Sequence, residues 1–253
     1  MVTGASKGVG RGIAVGLARD GWDVGINFHQ DRDGAEATAA SVREQQRNSW
    51  LLQGDVGDSA DVRNMFRELE EQAGGLNLLV NNAGVQTWAS LLDLDEHDFD
   101  RTIRTNLKGT FLCTQQAARR MRTTGGSIVN IGSGANKAPF PNLVDYCASK
   151  GGIEALTRVT AVELGPLGIR VNCVAPGTIE IERTRTESPD YAGTWEPLTP
   201  LRRIGHVDDV AKAVSFLAAK QADFITGQTL YVDGGLWSQI PWPYQSTDND
   251  TPE

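Results

Sequence analysis

Tyr146 and Lys150 stand four residues apart in a stretch patterned as a helix, 144–164, so their side chains leave the same face. A free phenol ionises only near pH ~10. An ammonium group held beside it favours the phenolate, and the pair can then take up a proton near neutral pH. Run in reverse, the phenol protonates a carbonyl oxygen as hydride arrives at the carbon. Ser133 follows the strand pattern 127–131, at the kind of strand end where open sheets gather active residues. Its hydroxyl can hydrogen-bond the substrate oxygen. Asn106 lies within a helical pattern, where asparagine is mildly unfavourable. Each also fits a bland role. Tyr-x-x-x-Lys pairs arise by chance, Ser133 suits a turn, and Asn106 suits a solvent-facing or kinked position.

A second chemistry is offered by Thr3-Gly4-Ala5-Ser6-Lys7-Gly8-Val9-Gly10, between a short apolar start and the helical pattern 11–20. Glycines let a backbone approach pyrophosphate closely, and the helix start supplies free N–H groups and the positive end of its dipole. The spacing is Gx3GxG, not the commoner GxGxxG, and a tight turn that binds nothing fits it too. Asn81-Asn82-Ala83-Gly84 follows the apolar run 76–80. Its small residues would let a ribose or nicotinamide lie against the strand end. The other reading is a turn with left-handed asparagines.

The elements that must position these groups alternate along the chain. Strand patterns cover 24–28, 51–55, 76–80, 127–131, 170–175 and 229–232. Helical patterns cover 33–46, 59–73, 95–122 with a break, 144–164 and 208–217. Such β–α alternation predicts an α/β protein: one Rossmann-type domain over 1–236, with a doubly wound parallel sheet of about seven strands and helices on both faces. The first strand looks clipped, since only Met1, Val2 and Thr3 precede the glycine turn, which predicts lost ladder bonds. The segment 178–203 is polar and aperiodic, as lids are, and 237–253 is a tail rich in Trp and Pro.

The bulk composition excludes several classes. A net charge of −8 gives no general attraction for nucleic acid. Three cysteines without CxxC spacing read as buried free thiols, and three scattered histidines predict no metal site. No apolar run approaches the roughly 20 residues that span a bilayer, and the start lacks the pattern of a signal peptide, so cytoplasm is the expected compartment.

Taken together, TGASKGVG at 3–10, DV at 55–56, NNAG at 81–84, TNLKGTF at 105–111, YCASK at 146–150, IRVNCVAPG at 169–177 and ITGQTLYVDGG at 225–235 resemble the short-chain dehydrogenase/reductase family in its compact form. The resemblance implies that Gly4, Ser6, Lys7, Gly8, Val9 and Gly10 hold the pyrophosphate side of a nicotinamide dinucleotide. Asp55 and Val56 would contact adenine, and Asn82, Ala83 and Gly84 would line the cofactor. Pro176, Gly177, Thr178 and Ile179 would meet the nicotinamide. Tyr146 would be the general acid and base, Lys150 would bind the nicotinamide ribose and favour the phenolate, Ser133 would position the substrate oxygen, and Asn106 would anchor a water in a proton relay. The usual paired serines are Gly132-Ser133 here. The family also implies a homotetramer.

An acidic residue ending the second strand would hydrogen-bond the ribose hydroxyls and repel a 2′-phosphate. This strand ends Asn27-Phe28-His29 with no carboxylate before Asp31, while Lys7 and Arg32 are near. NADP(H) is therefore expected, with NAD(H) as the other cofactor. The substrate is a small carbonyl or alcohol compound, and the chain resembles both 3-oxoacyl-thioester reductases and aldose 1-dehydrogenases. The loop residues Glu180, Glu182, Arg183, Arg185 and Glu187 suit a sugar or a solvated lid. Arg119, Arg120 and Arg122 suit either an acidic carrier protein or a helix end. A non-catalytic dinucleotide sensor on the same fold is the alternative.

Overall fold

A computed structural model describes residues 1–239; the rest of the Trp/Pro tail, from 240, lies outside the described residues. The strands are β1 (Val24–Phe28), β2 (Ser49–Gln53), β3 (Leu78–Asn81), β4 (Gly126–Ile131), β5 (Ile169–Pro176) and β6 (Thr229–Val232). The helices are α1 (Gly8–Arg19), α2 (Arg32–Glu44), α3 (Ser59–Ala73), α4 (Glu96–Thr102), α5 (Gly109–Met121), α6 (Val144–Leu164), α7 (Glu182–Glu187), α8 (Tyr191–Trp195) and α9 (Val207–Ala218).

All strand pairs are parallel. β2 lies beside β1, and β3, β4, β5 and β6 follow one another in that order. The expected seventh strand is reduced to one bridging residue, Val2, which pairs with Ile26 on one side and Val80 on the other and so joins the two groups. The expected loss of ladder bonds does not occur. Val2 N–H donates to Gly25 O, Thr3 N–H to Val80 O and Ala5 N–H to Asn27 O. The Met1 amino group donates to Leu78 O, and burial pushes its pKa down to about 5.

The near-continuous apolar strands follow from burial on both faces. Successive side chains point to opposite faces. Val80 and Val129 therefore join Ile13, Leu17, Ile26 and Val214 under α1 and α9. Their neighbours Leu79 and Ile128 join Met65, Phe66, Cys113 and Met121 under α3 and α5. Burial pushes the Cys113 thiol up to about 12 and Cys173 to about 11, while Cys147 is only half-buried.

Side-chain caps set the starts of α2, α3 and α4. Asp31 accepts from Gly34 N–H, Asp58 from Ala60 and Asp61, and Asp95 from His97. The break expected within 95–122 is a π-helical turn, Ile103–Lys108, between α4 and α5, and it carries Asn106. The segment 178–203 is more ordered than its aperiodic sequence predicts, because it contains α7 and α8. Their few residues are too short for a 3.6-residue period to show.

Candidate active site

A cleft of about 850 Å³ opens at the carboxyl ends of the strands, where the chain leaves Val2 for β1 on one side and β3 lies on the other. Gly4, Ser6, Lys7, Gly8, Val9 and Gly10 line it. Gly4 and Gly8 have φ of +60° and +55°, a region L side chains rarely enter. Gly10 is needed for a different reason: a Cβ there would lie 2.4 Å from Gly4 O and 2.5 Å from the Asn82 side-chain nitrogen. α1 begins directly after the turn, with no side-chain cap and no acidic residue in its first turn. Its first N–H groups and its positive dipole end therefore remain for an anion.

The turn is held from behind. Asn27, which is buried, accepts from Gly4 N–H at 3.1 Å and donates to Leu52 O and Gly54 O, both at 3.1 Å. Asn82 donates to Thr3 O (2.9 Å) and Gly4 O (3.0 Å), and the Thr3 hydroxyl oxygen accepts from the N–H groups of Asn82 and Ala83. No asparagine of 81–82 has positive φ, so the left-handed reading of that turn is wrong; the side chain of Asn82 bonds the glycine turn instead.

At the other end of the cleft, Ser133, Tyr146 and Lys150 come together. Lys150 is 4% exposed, and its Nζ donates to Ile131 O at 2.7 Å and lies 5.5 Å from the Tyr146 ring centroid. Ser133 Oγ accepts from Ala135 N–H at 3.2 Å, which leaves the hydroxyl hydrogen to be directed elsewhere. Asn106 does not line the cleft. It is fully buried behind it, exchanging bonds with the Val85 backbone (2.8 and 2.9 Å) and donating to Ser149 Oγ at 3.0 Å. Ser149 in turn donates to Tyr146 O at 2.7 Å.

Asp145, next to the tyrosine, is a completely buried carboxylate. It accepts from the Thr102 hydroxyl and from Tyr146 N–H, both at 2.6 Å. Thr102 and Asn106 thus grip α6 at two places across the π turn, so the irregular turn fixes the helix that carries the tyrosine.

At the opposite rim, Asp55 and Val56 line the cleft, and Asp55 pairs with Arg104 at 3.0 Å. Asp31 also lines it, but its carboxylate is engaged. The Gly34 N–H and then the Ser6 hydroxyl hold its carboxyl below the usual carboxylate range. Lys7 is exposed at this rim. Arg32 is not among the lining residues and pairs with Glu36 at 2.9 Å.

Asn82, Ala83, Gly84, Pro176, Gly177 and Ile179 also line the cleft. Thr178 does not join them: it is 6% exposed, and its carbonyl accepts from Gly205 N–H at 2.8 Å. The lid crosses the cleft, with Arg183 donating to Gln86 (3.3 Å) and Glu182 beside Arg11 (3.6 Å). Glu180 and Arg185 pair with each other at 2.9 Å. Gln86, Arg101, Arg104 and Tyr191 also line the cleft. The sequence carries no local signal for the first three, and Tyr191 lies in the segment read as a lid. Of the basic cluster, Arg120 is committed to Glu70 (3.2 Å) and to the face of Phe66 (5.4 Å).

Among the described residues no group of acidic, His or Cys side chains could hold a metal, and no helix is long and apolar enough to cross a membrane.

Residues 4–237 match the family model described as enoyl-(acyl carrier protein) reductase. The chain is 39% identical to the 3-oxoacyl-[acyl-carrier-protein] reductase FabG of Staphylococcus aureus, over 94% of this chain and 97% of that one. It is 41% identical to a short-chain dehydrogenase/reductase of Armillaria gallica, over 93% and 94%. Among solved structures, acetoin dehydrogenase from Enterobacter cloacae superposes with a TM-score of 0.87 at 34% identity, covering 97% of each chain. The chain belongs to the short-chain dehydrogenase/reductase family of oxidoreductases.

Proposed function

We propose that this oxidoreductase interconverts a secondary alcohol or lactol and a carbonyl with NADP(H), and that Tyr146 is its general acid and base. The observation that carries the reading is a single cleft with Ser133, Tyr146 and Lys150 at one end and the uncapped start of α1 at the other. These residues fit a nicotinamide dinucleotide. Free helix N–H groups meet its pyrophosphate, and the exposed Lys7 suits a 2′-phosphate. NAD(H) remains the other cofactor. When bound, the cofactor supplies or accepts hydride at the substrate carbon.

The chain's own residues manage the oxygen. Tyr146 gives its phenolic proton to the carbonyl oxygen in reduction and takes it back in oxidation. Ser133 directs its hydroxyl hydrogen at the same oxygen while Ala135 N–H holds its Oγ. Lys150, fixed by Ile131 O, keeps a positive charge beside the phenol and stabilises negative charge developing there. It is also in place to bind the nicotinamide ribose. Asn106 positions α6 through Ser149.

The names of the curated relatives favour 3-oxoacyl thioesters, and the polar lid keeps aldoses in view. The engagement of Arg120 with Glu70 and Phe66 weakens that basic cluster as a dock for an acidic carrier.

The test is nicotinamide absorbance with both cofactors, aldoses and 3-oxoacyl thioesters, comparing the wild type with Tyr146→Phe. The variant is expected to lose at least ~10²-fold in kcat, the low end for acid–base catalysis, and to bind NADPH as before. Turnover retained in Tyr146→Phe would overturn the assignment.

A further inference from the structure

The substrate end of the cleft carries a second phenol. Tyr191 opens α8 and lines the cleft with Tyr146 and Ser133.

Tyr191 is held by a row of aromatic rings. It packs on Trp195 with centroids 6.4 Å apart; Trp195 meets Phe140 edge-on at 6.0 Å, and Phe140 meets Trp237 edge-on at 5.3 Å. The Trp237 indole lies against Gly134, where any methyl group would collide with it. Gly134 is the neighbour of Ser133. The row therefore ties the lid helix to the loop that carries the serine. At its other end the lid is held by the contacts of Arg183 with Gln86 and of Glu182 with Arg11.

A phenol fixed in this way is not explained by packing alone, for which phenylalanine would serve. Among the described residues the Tyr191 hydroxyl makes no hydrogen bond. Burial pushes its pKa up to about 12, against the opposing pull of Arg183. It therefore stays a neutral donor near neutral pH.

We propose that Tyr191 is a specificity-determining residue that donates a hydrogen bond to a second oxygen of the substrate, apart from the reacting carbonyl oxygen. Two phenol donors lining one cleft reward a substrate that carries two oxygen functions. The site thereby selects 3-oxo esters and thioesters, acyloins or aldoses over simple ketones. This selectivity rests on Tyr146 being the proton donor to the carbonyl.

The test compares ethyl acetoacetate with 2-hexanone, a chain of similar reach without the second oxygen function, in the NADPH-dependent direction. Wild type, Tyr191→Phe and Tyr146→Phe are measured in parallel. Phe keeps the ring that packs on Trp195 and removes only the hydroxyl. A lost neutral hydrogen bond is worth roughly tenfold, so Tyr191→Phe should lower kcat/KM for the oxo ester about tenfold. The simple ketone and the Kd for NADPH should be unchanged. Equal losses on both substrates would reduce Tyr191 to a structural role, and no loss on either would remove it from recognition; both overturn the proposal. A wild type that reduces the simple ketone as well as the oxo ester overturns it too. Activity persisting in Tyr146→Phe would instead sink the acid–base assignment, independently of the Tyr191 result.

Discussion

The three glycines of the cofactor turn look equivalent in sequence, yet replacing each with alanine should have unequal results for separate physical reasons. At Gly8 the nearest atoms to a new Cβ belong to the Ile181 side chain at 3.7 Å, an ordinary contact. The cost there is left-handed strain alone, about 1 kcal/mol. At Gly10 the backbone is helical, and alanine gains about 1 kcal/mol of helix propensity. Against that, the Cβ lies 2.4 Å from Gly4 O and 2.5 Å from Asn82 Nδ2, and neither atom is the loose end of a flexible chain. Overpacking costs about 1–3 kcal/mol. The two bonds from Asn82 to Thr3 O and Gly4 O are each worth about 1 kcal/mol if displaced. The net loss is about 2–4 kcal/mol. Gly4 combines both effects, with φ of +60° and a Cβ 2.7 Å from Ala83 Cα. At roughly 2–4 °C per kcal/mol for a chain of this size, Gly8→Ala should lower Tm by roughly 2–4 °C and Gly10→Ala by roughly 5–15 °C, with Gly4→Ala at least as severe. Thermal unfolding of the three cofactor-free variants by circular dichroism measures this directly. Gly8→Ala as damaging as Gly10→Ala, or a harmless Gly10→Ala, would refute the close approach of Asn82 as the reason for glycine at that position.

Two further outcomes are expected. Lys7→Ala should weaken NADPH binding about tenfold, at the low end for a hydrogen bond to a charged group, and leave NADH binding unchanged; equal losses in a fluorescence titration would remove Lys7 from cofactor choice. The family's homotetramer should form here through α5 and α6, which expose Phe111, Val159 and Val162 (43, 50 and 77% exposed); a mass of 27.3 kDa by light scattering would rule it out.

The parts of this molecule that were legible in its sequence are those whose cause is local. α3 and α6 run from Ser59 and Val144 as the apolar period predicts, because Asp58 caps the one and a 21-residue pattern defines the other. Lys150 and Tyr146 share a face for the same reason. Where the cause is tertiary, the pattern is silent. Asn27, Asn81 and Asn130 sit in strands that read as apolar. Asn27 is there because the glycine turn needs an acceptor for Gly4 N–H. Asn81 and Asn130 bond each other, and then Thr114 and Thr157 on the covering helices. The first strand looks clipped because only three residues precede the glycine turn, whereas its backbone pairs with both neighbouring strands, the bonds running on to Ala5 within that turn.

The break at Asn106 shows how far this distinction reaches. An asparagine in a helical pattern signalled an irregularity but gave no direction for it. The π turn shows the direction, because it sets Thr102 and Asn106 against Asp145 and Ser149 on either side of Tyr146. A regular helix would set residues four apart on one face as well. At this turn the Asn106 side chain holds both the Val85 backbone and Ser149. One buried amide thus couples the loop at Val85 to the helix that carries Tyr146. No reading of 95–122 by itself could have found this, since both partners of the amide lie elsewhere in the chain.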